Sequence, residues 1–293
     1  MESHNVSRRQ FLKVTALSTT AAALSGCASA AAGQLGSMTS SAASTGSEAG
    51  IRLGVASYSL RNFSRAQAIE MTRSLGVRYI NFKSMHLPYD ASPAEFALAR
   101  QELSAAGLEL VGGGMITFET DTDQGVQKYF DYARAAGMPT IVCTSSPAVL
   151  PRIEKFAEQY NIKVAIHNHG PEDPNFPSPF DVLKAVQGMD PLIGLCIDLG
   201  HTVRAGADPV RAIAAAGPRL LDMHAKDLRD FSSAESQCVV GEGKMPIADI
   251  FRQLRSNGYS GYVNLEYEIE PDNPMPGMRK SFAFMRSVSS SVV

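Results

Sequence analysis

From Ile51 onward the chain alternates short β-like runs with helical patterns, and it does so eight times. The runs fall at 51–57, 77–82, 108–112, 139–144, 162–167, 192–198, 219–225 and 261–267, roughly 25–30 residues apart with one longer interval. The helices between them carry readable start and stop signals. Ser92-Pro93-Ala94-Glu95 is a capping box with proline at the first helical position, and Gly107 closes that helix. Asp208-Pro209 opens another that ends near Gly217, and Ser64 to Gly76 follows the same rule. Pro246 opens a helix with Ile247, Ile250, Phe251 and Leu254 on one face, closed by Gly258. Such alternation over ~240 residues predicts one α/β domain, a (β/α)8 TIM barrel over 51–293. A doubly wound open sheet is the rival; it needs fewer strands, and no glycine-rich phosphate loop opens this domain.

Four consecutive late strands end alike. Val164-Ala165-Ile166-His167, Leu195-Cys196-Ile197-Asp198, Leu221-Asp222-Met223-His224 and Val263-Asn264-Leu265-Glu266 each deliver a His or a carboxylate where the apolar run stops. Side chains alternate across a strand, so His167 shares a face with Ala165, and Asp198 with Cys196 and Gly194. His224 shares its face with Asp222 and Lys226, and Glu266 with Asn264 and Tyr262. The opposite face carries Val164, Ile166, Ile193, Leu195, Ile197, Leu221, Met223, Val263 and Leu265. The apolar face is expected under the helices and the small or polar face inside the barrel. The four strand-end residues then meet at the C-terminal rim, where barrel enzymes keep their active sites. Taken singly, each reads as a hydrogen-bonded rim residue. Together, His167, Asp198, His224 and Glu266 make a ligand set for one divalent metal ion. Mn²⁺ is preferred, with Zn²⁺, Co²⁺ or Fe²⁺ as alternatives, and positions stay open for substrate.

Asp198-Leu199-Gly200-His201, His224-Ala225-Lys226-Asp227, Gly241-Glu242-Gly243 and Leu265-Glu266-Tyr267-Glu268 occur in this order. In that order and spacing they resemble the motifs of the xylose isomerase-like TIM barrel superfamily, across residues 51–288. The superfamily includes sugar epimerases, hydroxypyruvate isomerases, inosose dehydratases and, more distantly, abasic-site endonucleases. The resemblance implies a divalent metal that chelates adjacent sugar oxygens, polarises a carbonyl and stabilises an enediolate. It implies Asp198, His224 and Glu266 as ligands. The family's fourth ligand is usually a glutamate ending strand five, in a Glu-Asn-His sequence; here the residues are His167-Asn168-His169.

Family epimerases use two glutamates, one on each face of the substrate carbon. A metal-bound neutral imidazole has no free lone pair, so His167 cannot be the second base while ligated. The ligand set is also poorer by one negative charge. Both consequences disfavour two-base epimerisation. They favour one base plus a Lewis acid, in aldose–ketose isomerisation or in elimination and hydration next to a carbonyl. Glu266 is the family's candidate base, with His169 or His201 taking over if Glu266 only binds metal.

Further rim residues offer substrate contacts. Lys83 and His86 follow the second strand and read either as contacts or as a solvated loop. His201 lies at a family substrate-contact position. Lys226 is suited to a sugar hydroxyl or an oxyanion, or to a salt bridge with Glu268 or Asp227; Glu268 is counted among the substrate contacts. Gly112-Gly113-Gly114 is expected after the third strand, where backbone passes close to a ligand or a loop. The loop from Gly170 to Pro179 is long enough for a lid.

Residues 1–50 stand outside this pattern. Ser7-Arg8-Arg9-Gln10-Phe11-Leu12-Lys13 is a twin-arginine (Tat) export signal, and the apolar run Val14 to Leu24 falls short of a ~20-residue membrane span. Leu24-Ser25-Gly26-Cys27 reads as a lipobox, which makes 1–27 a signal peptide and Cys27 a lipid anchor. Cleavage at Ala28-Ser29-Ala30, releasing a soluble protein, is the alternative. Residues 28–50 have the composition of a flexible tether. The expected location is the periplasm or cell envelope, reached through the Tat translocase, with the membrane touched only through the anchor.

Without residues 1–27 the chain holds 24 basic and 28 acidic residues. With no basic stripe, this excludes a nucleic-acid partner and the abasic-site endonuclease reading. Cys143, Cys196 and Cys238 form no pairing pattern, against a disulfide framework. The expected function is an exported, metal-dependent isomerase or epimerase acting on an unphosphorylated sugar through an enediolate. The alternatives are a lyase or hydratase acting by β-elimination on a keto-sugar or 3-keto-glycoside, and a non-catalytic sugar-binding lipoprotein. The sequence leaves the oligomeric state open, a homo-oligomer included.

Overall fold

A computed structural model describes residues 51–292. The expected export signal, Cys27 lipid anchor and tether lie outside the described residues. Strands β1 (Arg52–Ala56), β2 (Tyr79–Phe82), β3 (Glu109–Phe118), β4 (Thr140–Ser145), β5 (Lys163–His167), β6 (Ile193–Asp198) and β7 (Leu220–Ala225) come first. A small ribbon of β8 (Asp227–Leu228) and β9 (Gln237–Cys238) follows, then β10 (Tyr262–Leu265). The larger strands close in the order β1-β10-β7-β6-β5-β4-β3-β2, and every neighbouring pair is parallel. The expected (β/α)8 barrel is the observed one.

Around it run α1 (Arg65–Ser74), α2 (Pro93–Ala105), α3 (Asp123–Ala136), α4 (Leu150–Tyr160), α5 (Pro179–Ala185), α6 (Leu199–Arg204), α7 (Pro209–Ala216), α8 (Ile247–Ser256) and α9 (Met275–Ser291). Ser64 and Ser92 form capping boxes at α1 and α2, and Asp208 caps α7 by accepting from the Val210 and Arg211 N–H groups. These side chains satisfy helix-end donors that would otherwise need water. No described helix is long and apolar enough to cross a membrane.

Two details differ from the sequence reading. Leu221 was expected beneath the helices, yet it packs inside the barrel with Val142, Ala165 and Cys196. The cause is a register shift: Leu195 pairs with Leu220 but Cys196 pairs with Asp222, so Leu221 is an extra residue that breaks the alternation. The glycines 112–114 lie within β3 rather than after it. A Cβ on Gly112 would stand 3.0 Å from the Thr140 carbonyl and one on Gly114 1.9 Å from that of Val142. They let β3 lie close against β4, and no ligand is needed to explain them.

The Gly241-Glu242-Gly243 motif also has a structural cause. Buried Asp227 accepts the N–H groups of Gly241 and Gly243 at 2.9 and 3.0 Å on one oxygen and that of Met245 at 2.9 Å on the other. A Cβ on Gly243 would meet the carboxylate at 2.1 Å. The loop is wrapped around a buried acceptor. Asp227→Ala strands three donors and is expected to cost about 3 kcal/mol, read as a lowered midpoint in urea unfolding.

Candidate metal centre and active site

Strand ends bring the four expected ligands together: β5 supplies His167, β6 Asp198, β7 His224, and Glu266 directly follows β10. One ligating atom from each lies within 4.8 Å of all the others. His167 Nε2 stands 3.2 Å from His224 Nδ1 and 3.6 Å from Asp198 Oδ2, and His224 Nδ1 stands 3.1 Å from Glu266 Oε2. All four residues are buried.

Local structure aims each of them. Asp198 is the N-cap of α6, and its Oδ1 accepts the His201 N–H at 2.8 Å. That bond fixes the carboxylate and leaves Oδ2 toward the other ligands, with Lys226 Nζ at 3.1 Å but no well-aligned hydrogen bond. Asn168 locks the end of β5 to β6, accepting the Asp198 N–H at 3.0 Å and donating to Thr202 Oγ1 at 3.1 Å. Two side chains clamp the chain around Glu266. Ser59 Oγ donates to the Leu265 carbonyl and accepts the Tyr267 N–H, while Gln237 donates to the Glu266 carbonyl and accepts the Glu268 N–H.

The surroundings keep the two carboxylates ionised and the His167 imidazole neutral. Burial, helped by the neighbouring His224, drives His167 down to about 3, against weaker opposing pulls from Asp198 and Glu266. Burial opposes ionisation of Glu266, but His224, Lys83 and Lys226 together hold it well below the usual carboxylate range. Burial likewise raises Asp198, and Lys226, His201 and His167 overcome it. Lys83 Nζ lies 2.8 Å from Glu266, and Lys226 Nζ lies 3.1 Å from Glu266 and 3.2 Å from Glu268. Two imidazole nitrogens and two carboxylate oxygens, with a buried Asp198 Oδ2 that accepts no hydrogen bond, fit a divalent cation.

Beside this cluster a cavity of about 290 Å³ is lined by Tyr58, Lys83, Ser84, Met85, Met115, His167, His169, His201, Glu266 and Glu268. That volume is near the lower end for small-molecule sites and suits a compact ligand. The rings of His169 and His201 stand 4.6 Å apart, centroid to centroid. Burial lowers His201 to about 4, so it is a neutral imidazole at neutral pH. Burial raises the Glu268 carboxyl above its ordinary value, against the pull of Lys226. Tyr58 and Met115 were not expected; they arrive from the segments following β1 and within β3, and no sequence signal marks them.

His86, expected at the substrate, is elsewhere. Its Nδ1 faces Ser57 Oγ at 2.9 Å and its Nε2 faces the carbonyls of Leu60 and Phe63, both at 3.2 Å. The buried ring ties two loops together and does not line the cavity. His86→Ala is expected to cost about 2 kcal/mol of stability and to leave Mn²⁺ affinity unchanged, measured by urea unfolding and metal titration.

Comparison with known proteins agrees with this architecture. The profile of a family described as xylose isomerase-like TIM barrel matches residues 65–288. The inosose dehydratase of Clostridium tetani (strain Massachusetts / E88) is 28% identical over 143 residues, which is 43% of this chain and 47% of that protein. The chain thus spans about half the length of that relative. A crystal structure of an uncharacterised protein from Parabacteroides distasonis ATCC 8503 is 27% identical, with a TM-score of 0.65, covering 82% of this chain and 99% of that one. A structure of L-ribulose 3-epimerase has a TM-score of 0.69 at 16% identity, covering 83% and 95%, and shares the fold.

Proposed function

Because the chain belongs to the xylose isomerase-like TIM barrel family, we propose that it is a metal-dependent lyase that eliminates water or an alcohol from a small keto-sugar or keto-polyol. One observation carries this reading. The site offers a clamped carboxylate and a neutral imidazole, instead of two opposed free glutamates. His167 stands at one ligand position, and Glu266 is pinned by Lys83, Lys226 and His224. An anion held by two ammonium groups is a weak base.

His167, Asp198, His224 and Glu266 are the residues that would hold the ion, with Mn²⁺ the first choice. When bound, it supplies a Lewis acid for the keto oxygen. His201, neutral and in the cavity, takes the proton from the carbon next to the carbonyl, and His169 is its neighbour in reserve. The bond between the adjacent carbon and its oxygen then breaks, and the departing oxygen takes the proton now held by His201. Lys83 and Lys226 keep Glu266 ionised throughout. The dehydratase name of a curated relative supports elimination. The twin-arginine motif and the lipobox support work at the cell envelope, where an unphosphorylated substrate is the expected kind.

The test is incubation of Mn²⁺-loaded protein in D₂O with free ketoses, keto-polyols and 3-keto-glycosides, followed by NMR. Release of water or aglycone with formation of a conjugated enone is expected. Deuterium exchange with isomer formation and no leaving group would make it an isomerase or epimerase. Binding without turnover for any ion would make it a sugar-binding protein.

A further inference from the structure

We propose that the barrel holds a second, softer donor set formed by His167, Cys196 and His224, which captures thiophilic cations such as Zn²⁺, Cd²⁺ or Cu⁺. The inference rests on the reading of His167 and His224 as metal ligands, and it adds Cys196, which belongs to no part of the reaction described above.

One ligating atom of each of these three residues lies within 4.8 Å of the other two. The strand register explains why. His167 pairs with Cys196, whereas Asp198 pairs with His224. The His167 position is therefore level with the sulfur-bearing residue, one inward step deeper than Asp198. Each imidazole also keeps a buried nitrogen without a hydrogen-bond partner, Nδ1 in His167 and Nε2 in His224. Cys196 is fully buried and packs with Val142, Ala165 and Leu221. Among the described residues, neither Cys143 nor Cys238 belongs to such a group of ligating side chains.

Ligand chemistry sorts the cations. Carboxylates suit hard ions such as Mn²⁺, thiolates suit soft ones, and imidazole serves both. A soft ion is drawn to the set with sulfur. Both sets use the same two imidazoles, so a chain that holds a thiophilic ion on Cys196 cannot hold Mn²⁺ with its full ligand set. Binding replaces the S–H bond by a sulfur–metal bond, the proton passes to solvent, and no atom changes oxidation state. The consequence is a centre whose occupancy depends on the ratio of soft to hard cations around it.

The full chain, kept reduced with a phosphine, is titrated with Cd²⁺ while ultraviolet thiolate-to-cadmium charge transfer and the EPR signal of released Mn²⁺ are followed. One equivalent of Cd²⁺ is expected to raise the band and release the Mn²⁺. Cys196→Ala should abolish the band and lower Cd²⁺ affinity about tenfold or more, while Mn²⁺ still binds and reports an intact barrel. Cys196→Ser, which keeps the volume, replaces alanine if that variant does not fold. A band that persists without Cys196 assigns the ion to another cysteine and overturns the proposal. Cd²⁺ binding with no band in the wild-type chain overturns it too and leaves the oxygen-rich centre standing. Failure to bind either ion overturns both.

Discussion

Asp198→Asn is expected to lower Mn²⁺ affinity about 100-fold or more, since changes to partners merely outside a ligand set already cost 10–100-fold. The substitution separates binding from folding. Asparagine caps a helix as well as aspartate does, so the His201 N–H keeps its acceptor and α6 keeps its start. What changes is the oxygen facing the other ligands. A carboxamide is neutral and a weaker donor to a hard cation, and it removes one of the three carboxylates around Lys226. The metal-free variant should therefore melt close to the metal-free wild type, while the stabilisation that Mn²⁺ gives the wild type disappears. Unchanged affinity in an EPR-monitored titration would mean that Asp198 is a structural cap and nothing more.

The second large effect is a contrast between two variants. His201→Gln is expected to reduce turnover by about 10²–10⁴-fold, the usual contribution of a positioned acid or base, with Mn²⁺ affinity unchanged. Only its backbone N–H bonds to Asp198, so the cap survives. Glu266→Gln should lose metal and turnover together, because Glu266 lies within the ligand cluster and anchors Lys83 and Lys226. The opposite pattern is equally readable. If Glu266→Gln binds Mn²⁺ normally but does not turn over, and His201→Gln is near wild type, then Glu266 is the base.

The barrel was legible because its signals are local and repeated. Capping residues such as Ser92 and Asp208 mark helix starts, and apolar runs mark buried strands. The convergence of His167, Asp198, His224 and Glu266 also followed from local facts, since parallel strands of a closed barrel end on one rim. The failures arose where a long-range contact decided the outcome. Alternation assumes regular pairing, and the bulge at Leu221 exists only in relation to β6. His86 follows a strand as a binding residue would, but the ring turns toward carbonyls of the preceding loop. Lys226 could be placed on the correct face; that it would bridge three carboxylates required the full fold. Tyr58 and Met115 reach the cavity from distant segments and carry no local mark of it.

Four strand ends are placed to hold one divalent ion. Elemental analysis of the purified, active full chain tests this most directly. About one equivalent of a divalent metal per chain is expected, lost on chelation together with turnover and restored by Mn²⁺. A chain that is free of metal and still converts its substrate at full rate would contradict it.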